Sequence, residues 1–187
     1  MTGLDAFVGE REVASPTEME ALGRALGGVL RAGDLVVLTG PLGAGKTTLT
    51  RGIAAGLDVR GRVQSPTFVI ARTHPSLGDG PPLVHVDAYR LGTDSELDDL
   101  DIDFAGSVVI AEWAAPFAAA VADRWWEIEI DRGGLTRPEA PTATATAAGE
   151  ADQGSAGAGA DGVGATGPHV ADMEDRAPRR VTISRRG

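Results

Sequence analysis

The apolar positions of this chain form short runs that predict buried β-strands, separated by segments of helical spacing. Apolar runs of three or four residues, broken at most by one histidine, occur at 35–38, 68–70, 83–86 and 108–111. Such runs are typical of strands that are covered on both faces of a sheet. Residues 126–130 alternate apolar and charged side chains, which predicts a half-exposed strand, and segments 7–13 and 180–184 predict two further strands.

Two helices are predicted between these strands. Ser15, Pro16 and Glu18 match an N-cap, a first-turn proline and the last position of a capping box. Apolar side chains then follow at helical spacing, at Met19, Leu22, Leu26 and Val29. Gly33 is the expected end of this helix, and a second helix is predicted over 47–57. The interleaving of strands and helices predicts an α/β fold with a mostly parallel central sheet.

The chain is expected to divide into an α/β domain and a low-complexity insert. Residues 1–132 carry most of the predicted elements, whereas 12 of the 45 residues in 133–177 are Ala and 9 are Gly. With few large aliphatic side chains, this insert buries too little apolar area to offset the cost of ordering it, so we expect disorder. Residues 178–187 are expected to return as a last strand and tail, closing an antiparallel edge hairpin that opens after Asp131.

Length, charge and composition exclude several classes of protein. The 187 residues suit one domain, and a formal charge of −10 gives no overall attraction to nucleic acid or anionic membranes. The chain has no cysteine, which excludes a thiol nucleophile, a disulfide framework and Cys-ligated metal clusters. No apolar run reaches the roughly 18 residues of a membrane span, and the first residues are too charged for a secretory signal. A cytoplasmic protein is therefore expected.

A glycine-rich segment between the second strand and the second helix carries the strongest chemical signal. Residues 40–47 fit the pattern G-x-x-x-x-G-K-[ST], and we call them the phosphate loop. Glycines allow backbone N–H groups to converge on phosphate oxygens, and the following helix presents its positive end to the same anion. Lys46, the only lysine of the chain, supplies a mobile charge, and Thr47 offers its hydroxyl to Mg²⁺. The predicted nucleotide-binding residues are Leu42, Gly43, Ala44, Gly45, Lys46, Thr47 and Thr48.

Two carboxylates are predicted to lie beside the phosphate loop. Asp87 and Glu112 each follow an apolar strand, and the carboxyl ends of parallel strands meet at the edge of the sheet that holds the loop. Either acid is therefore a candidate for the metal, and Asp87 is also a candidate for orienting the attacking water. His85 is expected to be a packed strand residue rather than a base. Trp113 is expected to fill the core rather than to stack on a nucleotide.

Ser65 and Thr67 precede a predicted strand and have two interpretations. Hydroxyls beside a phosphate site can sense the terminal phosphate, as a switch loop does. They can equally cap a turn that is formed by Pro66. The residues themselves leave both interpretations open.

A set of motifs along the chain resembles the bacterial TsaE (YjeE) ATPases. In the order and spacing of that family, the motifs are Gly40-x-Leu42-Gly43-Ala44-Gly45-Lys46-Thr47-Thr48, Arg51-Gly52, Ser65-Pro66-Thr67-Phe68, His85-x-Asp87-x-Tyr89-Arg90-Leu91, Glu96-Leu97 and Glu112-Trp113. The resemblance covers residues 13–131 and resumes at 179–184. The chain departs from the family in its insert and at 98–101, where the glycine that usually follows the leucine is an aspartate.

The resemblance implies a P-loop NTPase of three layers that binds ATP and Mg²⁺ and hydrolyses the nucleotide. In that family the ATPase acts with the TsaB and TsaD proteins to make threonylcarbamoyladenosine at position 37 of tRNAs that read ANN codons. The implied partners are therefore a TsaB–TsaD heterodimer and, through the complex, tRNA. Neither DNA nor a membrane is an implied partner.

The same resemblance implies roles for individual residues. The residues that match Thr47 and Glu112 are associated with Mg²⁺ in the family, and the acid that matches Asp87 is associated with catalysis. The start of the first helix, at 15–18, is implied to lie near the adenine. Auxiliary site residues are Ser65, Thr67, Tyr89, Arg90 and Trp113. The insert leaves open which C-terminal arginine, Arg176, Arg179 or Arg180, contacts the nucleotide.

Two other functions share much of this chemistry. A small-molecule kinase uses the same loop and metal but needs an acceptor pocket and usually a basic lid, and residues 79–103 contain eight acids and one arginine. A scaffold would bind ATP and signal its occupancy to partners without significant turnover. A GTPase that reads guanine through an N-K-x-D motif is excluded because the chain has no asparagine, and a transporter ATPase or helicase needs a longer chain.

Overall fold

In a computed structural model, residues 3–64, 70–90, 100–132 and 177–187 are described, and they form one seven-stranded sheet with helices on its faces. The strands are β1 (Gly9–Val13), β2 (Leu35–Thr39), β3 (Ala71–His74), β4 (Leu83–Asp87), β5 (Val108–Glu112), β6 (Trp125–Asp131) and β7 (Arg179–Arg186). The α-helices are α1 (Pro16–Gly27), α2 (Lys46–Gly56) and the single turn α3 (Ala118–Val121), and 3₁₀ turns span Leu4–Phe7 and Ala88–Arg90. No helix among these residues is long and apolar enough to cross a membrane.

The sheet has a parallel centre and antiparallel edges. Its strand order is β1-β7-β6-β2-β5-β4-β3, in which β6, β2, β5 and β4 are parallel to one another. The hairpin predicted at the C-terminal edge is confirmed, because β7 pairs antiparallel with β6 and Arg180 lies opposite Asp131. β1 and β3 add one more antiparallel strand at each edge, so the antiparallel edge predicted on one side occurs on both.

Each face of the sheet carries its own buried apolar layer, which makes the three-layer arrangement that the resemblance implies. On one face, α1 and α2 pack against alternate side chains of the central strands, such as Val36 and Leu38. On the other face, Leu35 and Val37 pack in a second cluster that includes Ala118 of α3. Coverage of both faces is the physical reason for the unbroken apolar run of β2.

The start of α1 matches its prediction, but its end does not. The Ser15 hydroxyl accepts a hydrogen bond from the Glu18 N–H at 3.2 Å, while the Glu18 carboxylate accepts one from the N–H of Ala14 instead of the N-cap residue. The helix ends at Gly27 rather than near Gly33. Two consecutive glycines make further helix unfavourable there. Gly33, with φ of 89°, lies in the turn that leads into β2.

Two other predicted segments also differ in the structure. The first strand begins at Gly9, because the residues before it form the 3₁₀ turn. Residues 68 and 69 of the strand predicted at 68–70 lie outside the described part of the chain, whereas Ile70 is not part of a strand and β3 begins at Ala71. The insert at 133–177 lies outside it as well, except for Ala177.

Helices α1 and α2 are in backbone contact along a glycine seam, formed by Gly23 and Gly27 of α1 and Gly52 and Gly56 of α2. A Cβ on Gly52 would lie 2.3 Å from the carbonyl oxygen of Glu20, and each of the other three glycines meets a backbone oxygen at the same distance. Side chains larger than hydrogen therefore cannot occupy these positions without separating the helices. The seam holds the start of α2 at a fixed place relative to α1.

Gly52→Ala is expected to destabilise the protein by about 1–3 kcal/mol or more, because overpacking outweighs the gain in helix propensity. Gly28→Ala is the matched control, since its Cβ would be 3.6 Å from the nearest atom, the carbonyl oxygen of Ala25. This control should leave stability unchanged or raise it by about 0.5 kcal/mol. Thermal and urea unfolding measure both variants, and equal stabilities would contradict direct contact at the seam.

Replacement of residues 133–176 by a short glycine-containing turn is expected to preserve the fold. Asp131 and Arg180 are already paired in the hairpin, and the cost of closing a loop grows only slowly with its length. Calorimetric unfolding of the shortened chain should show a melting temperature within a few degrees of the full chain. A large decrease would show that the insert packs on the domain.

Candidate functional site

The phosphate loop joins β2 to α2 through a backbone that only glycine adopts readily. Gly40, Gly43 and Gly45 have φ angles of 141°, 72° and 112°. At Gly40 a side chain is also excluded by space, because its Cβ would lie 2.3 Å from the carbonyl oxygen of Ile130. Helix α2 begins directly after Gly45 without a side-chain cap. Its first N–H groups are thus available for an anionic ligand.

Lys46 is buried inside the phosphate loop, with 5% of its surface exposed. Its Nζ donates hydrogen bonds to the carbonyl oxygens of Gly40 (2.8 Å) and Pro41 (3.1 Å). Burial lowers the pKa of the Lys46 ammonium, whereas the negative charges of Glu112 and Asp87 oppose that change. The loop therefore holds a cation that is desolvated and near two carboxylates.

Glu112, rather than Asp87, is the carboxylate that lies at the hydroxyl of Thr47. The two acids end neighbouring parallel strands in direct register, and both are buried, with 4% and 8% of their surface exposed. The Thr47 hydroxyl lies 3.4 Å from Oε1 of Glu112, and the fully buried His85 places Nε2 3.0 Å from the same oxygen. Asp87 instead accepts a hydrogen bond from the N–H of Tyr89 at 3.1 Å. The predicted meeting of both carboxylates at the loop edge is seen.

The donor set at this edge suits Mg²⁺ held jointly with phosphate oxygens. Among the described residues, no group of three or more His, Asp or Glu side chains is arranged to hold a metal by itself. Thr47 and Glu112 supply two hard oxygen donors, and Mg²⁺ characteristically takes few protein ligands and completes its shell with substrate phosphates and water. A metal at this place would therefore depend on a bound nucleotide.

Trp113 lies against Lys46 and not in the apolar core, so the prediction of a core side chain is wrong. The Lys46 ammonium sits 4.3 Å from the centre of the indole ring, a favourable cation–π geometry. Trp113 has a φ of 64°, and its backbone N–H donates a hydrogen bond to the carbonyl oxygen of Leu38 in β2. This unusual backbone turns the ring toward the loop. The exposed Tyr89 packs edge-on against it, with ring centres 5.7 Å apart.

A cleft beside the phosphate loop lies at the start of α1. Its lining residues are Val13, Ala14, Ser15, Pro16, Met19, Gly43, Ala44, Gly45, Thr48, Ala177 and Arg179. The helix start that the resemblance associates with adenine thus borders the loop. Of the C-terminal arginines left open by the sequence, Arg179 lines the cleft, whereas Arg180 lies 3.3 Å from the carboxylate of Glu10 on the outer surface of the sheet edge.

The remaining predicted site residues are only partly described. Leu42 is 89% exposed, so it stands on the outside of the loop, whereas Ala44 is buried within it. Ser65, Thr67 and Arg176 lie outside the described residues, and the backbone of Arg90 ends the 3₁₀ turn that follows β4. The switch interpretation of Ser65 and Thr67 therefore stays a prediction.

Two residues at the site were not predicted to act there. His85 is packed in β4, as expected, but it also contacts the carboxylate of Glu112. The sequence signal for a role of His85 at the site was its position, two residues before Asp87 on the same strand. Arg132 reaches the phosphate loop from the end of β6, where its Nη2 would be 2.2 Å from a Cβ on Gly43. No local pattern marks Arg132, because its position depends on the order of the strands.

Comparison with known proteins identifies the family. Residues 13–138 match the family model described as threonylcarbamoyl adenosine biosynthesis protein TsaE. The chain is 57% identical to the tRNA threonylcarbamoyladenosine biosynthesis protein TsaE of Streptomyces coelicolor over 136 residues, which cover 71% of this chain and 92% of that protein. It is 38% identical to the Bacillus subtilis protein of the same name over 122 residues, covering 64% and 75% of the two chains.

A solved structure agrees with these matches. The crystal structure of Bacillus subtilis YdiB superposes with a TM-score of 0.54 at 34% identity, covering 67% of this chain and 78% of that one. The family model and the similar proteins both carry the name TsaE, which is the family that the motifs of the phosphate loop and of the two carboxylates resemble. The chain belongs to the TsaE family.

Proposed function

We propose that the chain is a Mg²⁺-dependent ATPase that acts with TsaB and TsaD proteins in forming threonylcarbamoyladenosine at position 37 of tRNAs reading ANN codons. The ATPase part of this proposal is carried by one observation. Four side chains meet at the carboxyl ends of the central strands: Lys46, Thr47, Glu112 and Asp87. The pathway is supported by family membership and by the names of the similar proteins from Streptomyces coelicolor and Bacillus subtilis. The partners and the tRNA class follow from the resemblance of the motifs.

Each part of the site has a distinct task in this proposal. Backbone N–H groups of the phosphate loop and the Lys46 ammonium bind the phosphates, and the cleft at the start of α1 receives the base. Thr47 and Glu112 hold Mg²⁺, which when bound neutralises charge on the phosphates. Asp87 accepts a hydrogen bond from the attacking water and orients it toward the terminal phosphate.

The proposed function is tested by measuring phosphate release from ATP by the purified chain, alone and with a TsaB–TsaD pair, with and without tRNA. We expect weak release from the chain alone and a clear increase with the partners. ATP binding without any phosphate release in the presence of partners would favour a scaffold. Absence of ATP binding would refute the nucleotide site itself.

Lys46→Ala is expected to abolish tight ATP binding, because the buried cation that faces the terminal phosphates is lost. Arg51→Ala is the matched control, since it removes one positive charge from the exposed side of the same helix. Thr47→Ala should weaken Mg²⁺-dependent binding more than metal-free binding. Isothermal titration calorimetry measures all three variants, and wild-type affinity in Lys46→Ala would defeat the assignment of the loop.

The two carboxylates are expected to give different defects when each is replaced by its amide. Glu112→Gln should raise the Mg²⁺ concentration needed for ATP binding, because Glu112 lies at the Thr47 hydroxyl. Asp87→Asn should leave binding nearly intact and lower partner-stimulated hydrolysis by on the order of 10²-fold. Titration of Mg²⁺ against ATP binding, with the exposed Asp79→Asn as control, separates these roles. A metal defect in Asp87→Asn alone would reverse them.

A further inference from the structure

Arg132 lies at the phosphate loop, on the side of β2 opposite to the carboxylates. It follows directly on β6, which runs parallel to β2 and ends at the same edge of the sheet. The loop touches this strand end, because a Cβ on Gly40 would lie 2.3 Å from the carbonyl oxygen of Ile130. Glu112 and Asp87 lie on the other side of β2, at the ends of β5 and β4. The loop therefore has an acidic flank and a basic flank.

The guanidinium of Arg132 lies on Gly43 of the phosphate loop. Its Nη2 and Cζ would be 2.2 Å and 3.3 Å from a Cβ on Gly43, so the group lies directly on the loop backbone. Its Nε is buried and has no hydrogen-bond partner among the described residues. An atom without solvent access cannot reach a ligand, so a ligand at the loop would meet the terminal nitrogens of Arg132, which lie on Gly43.

The charges at the loop indicate that this ligand is an anion. Arg132 brings a second positive charge to a loop that already holds Lys46, because its Nη2 would lie 2.2 Å from a Cβ on Gly43 and Lys46 is buried within the same loop. Like charges repel, and an anion bound by both removes that repulsion. The two cations are also complementary in shape, because lysine is a mobile point charge and the arginine fork binds two oxygens of one phosphate.

We propose that Arg132 is a second basic ligand of the nucleotide phosphates, which it contacts from the β6 side of the phosphate loop while Lys46 contacts them from within. This inference rests on the proposed function, because it requires the nucleotide to occupy the loop. The residue that directly precedes the 133–177 insert thus takes part in nucleotide binding. A structural role alone, in which Arg132 only packs on Gly43, is the competing explanation.

Calorimetric titration of ATP and of ADP, each with Mg²⁺, tests the proposal on the full chain. Arg132→Ala should lose roughly 10- to 100-fold in affinity for both nucleotides, the effect of removing charge-assisted hydrogen bonds. Arg132→Lys should lose less, because it keeps the charge without the fork. Arg124→Ala, which removes the same charge before the opposite end of β6, should stay within about twofold of wild type. Inorganic tripolyphosphate, used as a competitor without a base, should show the same order of affinities.

The outcomes separate this inference from the proposed function. ATP binding by wild type and by Arg132→Ala with equal affinity would overturn the inference and leave the proposed function intact, whereas failure of wild type to bind ATP would refute both. An equal loss in Arg124→Ala would show a general charge effect and would overturn the inference. A lowered melting temperature of nucleotide-free Arg132→Ala, with unchanged ATP affinity, would show that Arg132 only packs on Gly43.

Discussion

The constraint on which the site depends is the burial of charge at the carboxyl ends of the central strands. Lys46, Asp87 and Glu112 are all nearly excluded from solvent, and buried charges are strongly destabilising unless they are paired and hydrogen-bonded. The Lys46 ammonium is satisfied by two loop carbonyls and by the nearby carboxylates. This compensation exists only because β2, β5 and β4 are parallel neighbours that end together. The order of the strands is thus a condition for the chemistry as well as for the fold.

The glycine seam between α1 and α2 connects the two halves of the proposed nucleotide site. Helix α1 begins at the cleft proposed for the base, and α2 begins at the phosphate loop. Because Gly23 and Gly52 place the helix backbones in contact, neither helix start can shift without the other. The conformational freedom that four glycines lose on folding is a cost of this arrangement. Its benefit is a fixed distance between the groups proposed to hold the base and those proposed to hold the phosphates.

The sequence predicted those features that are encoded locally. The central strands were predictable because coverage on both faces requires unbroken apolar runs, and the loop because its glycines, Lys46 and Thr47 have few substitutes. The contact of His85 with Glu112, the position of Trp113 over Lys46 and the approach of Arg132 to Gly43 were not predictable. Each of these joins residues on different elements, so it depends on strand order and on the backbone turn after β5. Local hydrophobic periodicity carries no information about either.

The most direct test of the central claim is a crystal structure of the protein with a non-hydrolysable ATP analogue and Mn²⁺, whose anomalous scattering locates the metal. We expect the triphosphate in the loop of residues 40–47, with one anomalous peak between the Thr47 hydroxyl and the Glu112 carboxylate. A nucleotide in a second cleft, which Trp125 and Arg185 line near the starts of β2 and β6, would contradict it. So would a metal ion held by Asp87 without Glu112.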